Sequence, residues 1–299
     1  MQLESRLCLL SRGFGRAVGL GDEPADLEEE PYTGTGGEQP RMILAGVALA
    51  RRIEAGEAAI ARGCAQSQPG SAVLEAAGGI ALFQGADSPL TQAVGLGLNG
   101  PVREAELDAL EAFFRGRGAP VTIDLCPLAD AGLLESLGRR GYRPTEFNNV
   151  LVRPLAGFEI ALTPRVRRAT AEERDLWSHT VGHGFFEQAE LTTEEMDVGR
   201  AIFAMPGALC YLTSSETGET TGGGAMAVCG GLATLFADST IPRFRSRGLQ
   251  RELIAARLNE ALALGCDLAG ASTAPGSQSQ RNYERMGFRV VYTKVTLVG

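Results

Sequence analysis

One order of elements occurs twice along this chain, and that repetition limits what it can fold into. A glycine that closes an amphipathic helix stands at Gly118 and again at Gly265, and the turn Gly141-Tyr142 returns as Gly287-Phe288, spacings of 147 and 146 residues. In the first copy a helix over Glu104 to Phe114 carries Leu107, Leu110, Phe113 and Phe114 on one face. The strand Val121 to Cys126, a helix about Leu133 to Leu137 and extended segments to Val152 follow. In the second copy the strand Ala233 to Ile241 leads into a helix from Arg247 to Leu264 with Leu249, Leu253, Ile254, Leu258 and Leu262 on an apolar stripe. A strand at Cys266 to Ser272, a helix ending near Met286 and a final hairpin through Val290 to Val298 complete it. Ahead of the first copy lie a helix through Leu49, Ile53 and Ile60 and apolar runs at Gly79 to Phe83 and Thr91 to Leu98. Strands alternating with helices in two like units predict a mixed α/β sheet built by internal duplication.

The length of 299 residues suits two domains of about 150 residues each. The expected division is a disordered acidic tail over residues 1–40, a first domain over 41–155 and a second over 165–299, with the proline-bearing stretch Arg153 to Pro164 as linker. The net charge of -8 belongs mostly to the tail, since residues 21–40 hold seven carboxylates and no Lys or Arg. The rest balances 28 basic against 29 acidic side chains, which argues against a nucleic-acid-binding domain. Lys294 is the only lysine. No apolar run is long enough for a membrane span. The six cysteines contain no C-x-x-C pair, which predicts neither a zinc site nor a disulfide framework and fits a reducing cytoplasmic location.

The run Ser239 to Gln250 concentrates chemistry between a strand and a strong helix. Arg243, Arg245, Arg247 and Arg251 fall within nine residues, Gly248 permits close backbone approach, and amides at a helix start favour an anion such as a pyrophosphate. Arg245-Ser246-Arg247-Gly248-Leu249-Gln250 resembles the pyrophosphate loop of the GNAT superfamily of acyl-CoA-dependent N-acyltransferases, R/Q-x-x-G-x-G/A, departing from it at Gln250 where a small residue is usual. A second family signature, a tyrosine four residues before a Gly-Phe turn, is matched by Tyr283-Glu284-Arg285-Met286-Gly287-Phe288.

The resemblance covers about Val166 to Gly299 and implies two tandem GNAT-like units, with a catalytic second half transferring an acetyl group from acetyl-CoA to a primary amine of a small molecule or peptide. Arg245, Ser246, Arg247, Gly248, Leu249 and Gln250 would hold the pyrophosphate. The backbone of Asp238 and Thr240 would bind the pantetheine, with Ser279 and Asn282 as further polar contacts. Tyr283 would protonate the leaving thiolate, and Asp238 is a candidate base. An acceptor pocket is expected around His183, Phe186 and Glu187. His179 and His183 are four apart, but Gly182 and Gly184 argue against a helix there and no third ligand is evident, so no metal is assigned. A monomer or homodimer is compatible with this reading. The first half would be degenerate, because no Arg-x-x-Gly loop follows its strand and Leu137 takes the tyrosine's place.

Two other readings compete. Gly95-Leu96-Gly97-Leu98-Asn99-Gly100 is a G-x-G-x-x-G run after an apolar strand, and Asp124 ends the next one, as in a NAD(P)- or flavin-dependent oxidoreductase. Against it, Pro101 belongs at the first position of a helix, whereas the third glycine of that fingerprint lies inside one. A non-catalytic acyl-CoA-binding sensor is the other alternative.

Overall fold

The computed structural model describes Ile43, residues 45–157 and residues 164–299. The expected tail and part of the linker therefore lie outside the described residues. The first half runs α1 (Val47–Ser67), β1 (Ala72–Ala76), β2 (Gly79–Phe83), β3 (Gln92–Val94), α2 (Glu104–Arg115), β4 (Thr122–Leu125), α3 (Ala131–Arg139) and β5 (Arg143–Pro154). The second runs β6 (Val166–Arg168), α4 (Arg174–Phe186), α5 (Thr193–Ala204), β7 (Leu209–Ser214), β8 (Thr220–Cys229), β9 (Leu232–Thr240), α6 (Leu249–Ala263), β10 (Leu268–Thr273), α7 (Gln278–Arg285) and β11 (Arg289–Val298). From β3 and from β9 onward the two halves repeat one order of elements, as the spacing predicts.

The strands form one sheet in the order β1-β2-β3-β4-β11-β5-β10-β9-β8-β7-β6. The pairs β3/β4 and β9/β10 are parallel and all others antiparallel, which makes the sheet mixed. The expected terminal hairpin is a single strand. The last strand of each half crosses to the other: β11 pairs with β4, and β5 pairs with β10, while β5 and β11 run antiparallel to each other. Both are long, and alternation sets which face each residue takes without setting which neighbour a strand chooses.

One face of the sheet is covered by α1, α4 and α5, whose Ile60, Trp177, Val181 and Ile202 pack on Ile80, Leu212 and Phe236. The other is covered by α2 and α3 over the first half and by α6 and α7 over the second. The α4 helix forms despite Gly182 and Gly184, contrary to the sequence expectation. A Cβ at Gly184 would meet Ser239 Oγ and lie 2.8 Å from the Thr240 carbonyl carbon, and one at Gly182 would lie 2.5 Å from Leu191 Cδ1. Close packing on β9 and the following loop thus requires the glycines and supplies what their low helix propensity withholds.

Candidate functional site

Pairing of β9 with β10 spans only Leu232/Leu268 to Leu235/Ala271, after which β9 runs on to Thr240 away from its neighbour. At the same level the β8/β9 ladder has a bulge on β9, between the pairs Gly223/Ser239 and Ala225/Phe236, and Ala237 takes φ 56. The extra residue reverses the alternation beyond it. Hence Asp238 turns toward α6 and α7, while Ser239 turns to the opposite face and donates to the Val181 carbonyl at 2.8 Å.

Past β9 a short 3-10 turn, Pro242–Phe244, precedes Ser246 at φ 62 and Gly248 at φ 77. The left-handed Gly248 caps α6, so the helix starts at Leu249 and not at Arg247. No side chain caps that end. The amides of Arg251 and Glu252 reach the Gly248 carbonyl, whereas the helix geometry leaves those of Leu249 and Gln250 with no acceptor inside α6. Ser246, Arg247 and Gly248 are exposed, and a Cβ at Gly248 would meet open space. The result is a helix start with two amides that have no acceptor inside α6, preceded by exposed backbone and flanked by the exposed Arg247 and Arg251, which fits a phosphate group.

Arg245 is placed differently from its expected role. Its Nε donates to the Thr240 carbonyl at 3.2 Å, one terminal nitrogen to the Gly184 carbonyl at 2.8 Å and the other to Glu187 at 2.7 Å. It clamps the end of α4 to the end of β9, so neither Arg245 nor Glu187 is the free group the sequence suggests, and the Thr240 carbonyl is occupied. Gln250 also acts through its side chain: it donates to Ser279 at 2.8 Å and accepts from Asn282 at 2.7 Å, tying α6 to α7. Three expected cofactor contacts are thus brought together, bonded to one another.

Tyr283 and Asp238 meet in a closed cluster. The Tyr283 hydroxyl donates to Asp238 Oδ2 at 2.8 Å, and Arg257 grips both carboxylate oxygens at 2.5 and 2.7 Å. Arg257 is fully buried and Tyr283 is 2% exposed. Burial, reinforced by the Asp238 charge, holds the phenol well above its usual range. Burial opposes the charge on Arg257, but Asp238 more than offsets it and the guanidinium stays protonated. Asp238 has no free oxygen to act as a base, and Tyr283 already spends its proton on a carboxylate. These contacts tie the bulged end of β9 to α6 and α7.

The expected acceptor residues lie on the last turn of α4, where His183 and Phe186 are half-buried. Burial first, then the nearby His179 and Arg243, lowers the His183 pKa. The two histidine rings are 6.1 Å apart, and His179 Nε2 contacts the Ala189 carbonyl at 2.9 Å.

A second buried cluster escaped the sequence reading. On the α1 face Lys294 contacts Glu54 at 3.1 Å, Glu57 at 2.5 Å and Asp124 at 2.9 Å, and Tyr292 donates to Glu54 at 3.0 Å. Burial lifts Glu54 to about 7 against the pull of Lys294. Glu57 is raised by the same cause. Two acids on the apolar stripe of α1, beside Ile53 and Ile60, and a single lysine in an alternating strand were the available signals.

The glycine run of the first half serves packing. Gly97 donates its amide to the Ala77 carbonyl and accepts from the Asp130 amide, Arg51 holds the Leu98 carbonyl, and α2 starts only at Glu104. Asp124, which a ribose would need, is buried against Lys294. The oxidoreductase reading therefore loses both of its elements.

No family model and no curated protein matches the chain. Solved structures do match it in fold. A GCN5-related N-acetyltransferase from Kribbella flavida is 19% identical with a TM-score of 0.61, over 84% of this chain and 95% of that one. Another from Sphaerobacter thermophilus is 14% identical with a TM-score of 0.53, over 84% and 91%. A tandem GNAT protein from the clavulanic acid biosynthesis pathway is 16% identical with a TM-score of 0.51, over 85% and 94%. The chain has the tandem GNAT fold. Among the described residues no helix is long and apolar enough to cross a membrane.

Proposed function

We propose that the chain is an N-acetyltransferase that uses acetyl-CoA and a primary amine, with the donor site in its second half, residues 165–299, and with residues 41–155 as a packing partner that has lost its own donor site. The observation that carries this reading is the set of uncapped amides at the start of α6, placed at the end of a strand that parts from its parallel neighbour. The amides of Leu249 and Gln250, with Arg247 and Arg251, would hold the pyrophosphate. The β10-facing edge of β9 beyond Phe236 would receive the pantetheine. Acetyl-CoA supplies an acyl group activated as a thioester, and much of the protein's contribution is to position an amine against it. Support comes also from the first half, where the equivalent turn is tied into the fold by the Gly97 amide and by the Gly97 and Leu98 carbonyls.

Calorimetry with acetyl-CoA, CoA, NAD and NADP tests the donor. Acetyl-CoA and CoA are expected to bind and the dinucleotides not to; binding of NAD or NADP alone would overturn the assignment. Thiol release across a panel of primary amines then separates an enzyme from a sensor that only binds. The double variant Arg247→Glu/Arg251→Glu should weaken acetyl-CoA binding at least about tenfold, the charge reversal acting on contacts of the strong, charge-assisted kind. Unchanged affinity would move the donor site elsewhere.

A further inference from the structure

The acetyltransfer reading calls for a base, and Asp238 has both carboxylate oxygens held by the buried Arg257. On the α1 face a narrow cavity lies against the point where β9 and β10 part, lined by Leu235 and Phe236 of β9, Ala271 and Ser272 of β10, and Glu57 of α1. Among the described residues Glu57 is the only ionisable side chain along it. Its neighbours Glu54 and Asp124 are sealed at 2% and 3% side-chain exposure, while Glu57 keeps 14%.

Three carboxylates share one ammonium there, so the cluster carries surplus negative charge in a buried setting and has room for a proton. Asn148 stands beside Lys294 across the β5/β11 ladder, on the same face as Val150, which also lines the cavity. Asn148 is wholly buried, and neither its amide nitrogen nor its amide oxygen has a partner among the described residues. A buried amide with both ends unpaired costs about 1–3 kcal/mol per group in a finished core, and this one lies two residues from the cavity-lining Val150 without lining the cavity itself.

We infer that Glu57, supplied by the first half, is the general base of the second half's site and accepts a proton from the ammonium form of the acceptor. This rests on the acetyltransfer reading. The ammonium gives one proton to Glu57, which passes it to water. The freed nitrogen forms a bond to the thioester carbonyl carbon as the carbon–sulfur bond breaks, and a second proton from that nitrogen ends on the departing thiol. Lys294 holds the carboxylate in place, and Glu54, Asp124 and Tyr292 complete the surroundings of Lys294. The packing partner therefore has a chemical task even though it has lost its own loop.

The test uses the full chain and its Glu57→Gln variant. Acetyl-CoA affinity by calorimetry should agree within about twofold. Thiol release with the amine most active on the wild type should fall on the order of a hundredfold at pH 7 and recover as pH rises and the amine loses its proton unaided. Glu57→Asp should keep part of the activity. Independently of any acceptor, carbon NMR of protein labelled at glutamate carboxyls should show one signal, absent from the Glu57→Gln variant, that titrates above the ordinary glutamate range. Equal activity and pH profiles, or a Glu57 signal at the ordinary position, would overturn the inference and leave the acetyltransfer reading intact. Failure of the wild type to bind acetyl-CoA or to release thiol with any amine would overturn that reading, and the inference with it.

Discussion

Two buried cations lie on opposite faces of the same sheet, and their partners differ in number. Arg257, on the α6 and α7 face, is matched by a single carboxylate, Asp238, with the Tyr283 hydroxyl filling the same carboxylate. Lys294, on the α1 face, is matched by three. The first cluster is balanced and closed to solvent, so its groups have nothing left to exchange. The second is over-supplied with negative charge and opens at one member, Glu57. The cluster that sequence motifs pointed to therefore holds the fold together, while the one with spare acid-base capacity is built by residues 54, 57, 124, 292 and 294 from both halves.

The largest effect should come from unbalancing the closed pair. Arg257→Met leaves Asp238 buried and uncompensated, and removal of one partner of a buried pair typically costs about 3–5 kcal/mol. Adding Asp238→Leu to it should restore much of the loss, because the penalty lies in the orphaned charge. Urea unfolding of the single and double variants measures this. A single variant as stable as the wild type would mean that the pair is less isolated from water than its exposure of 0% and 5% implies.

The open cluster should instead reveal itself through pH. Glu54 titrates near 7 in the folded chain against 4.5 ordinarily. The native state therefore binds more protons than the unfolded state between those values. Stability should fall as pH rises through this window, by on the order of 3 kcal/mol in all, and then level off with respect to this group. Glu57, raised in the same direction, adds to the slope. Glu54→Gln should flatten the curve, since an amide can accept from Lys294 and donate to the Tyr292 oxygen without titrating. A slope unchanged by Glu54→Gln would show that the excess carboxylate charge is relieved elsewhere.

What was legible in the sequence divides along the same line. The apolar stripe of α2 and the stripe of α6 follow from helical period, and Leu107, Leu110, Leu253, Ile254 and Leu258 are all buried as that period requires. The strand-to-helix loop at Arg245–Gln250 was legible because its residues are neighbours in the chain. The exchange of β5 and β11 was not, since alternation is satisfied equally by either neighbour. The partners of Lys294 were hidden for the same reason of distance: Asp124 and Glu57 lie 170 and 237 residues away in sequence. Arg245 shows a subtler limit, its position being set by the loop and its direction by carbonyls of α4 and β9 that no local pattern announces.

A mid-sized effect tests how tightly the site is packed. Gly184 lets α4 rest directly on the end of β9, and a methyl group there would press on Ser239 and on the Thr240 backbone. Backbone cannot yield as a flexible side chain does, so Gly184→Ala should destabilise by about 1–3 kcal/mol, despite alanine's better helix propensity. It should also weaken acetyl-CoA binding, because the same shift moves the β9 end that carries the loop. A neutral or stabilising outcome in thermal unfolding would contradict the close helix-on-strand contact.

The smallest change distinguishes an acid from an anchor at Tyr283. Tyr283→Phe removes a hydroxyl that donates to Asp238 while leaving the Arg257 grip on both oxygens. Since the carboxylate remains satisfied, the loss should be about 1–2 kcal/mol of stability, in the range for a hydrogen bond to a charged group. The ring keeps its edge-on contact with Phe288 at 4.9 Å between centroids. If Tyr283 is an anchor, turnover per folded molecule should change by less than about threefold, and its pH profile should not move. An acid that protonates the thiolate would lose on the order of a hundredfold in turnover on top of the same loss of stability. Measuring thermal stability and thiol release on the same preparation decides between them, because the hydrogen bond is lost in either case and only the acid role predicts a large fall in turnover per folded molecule.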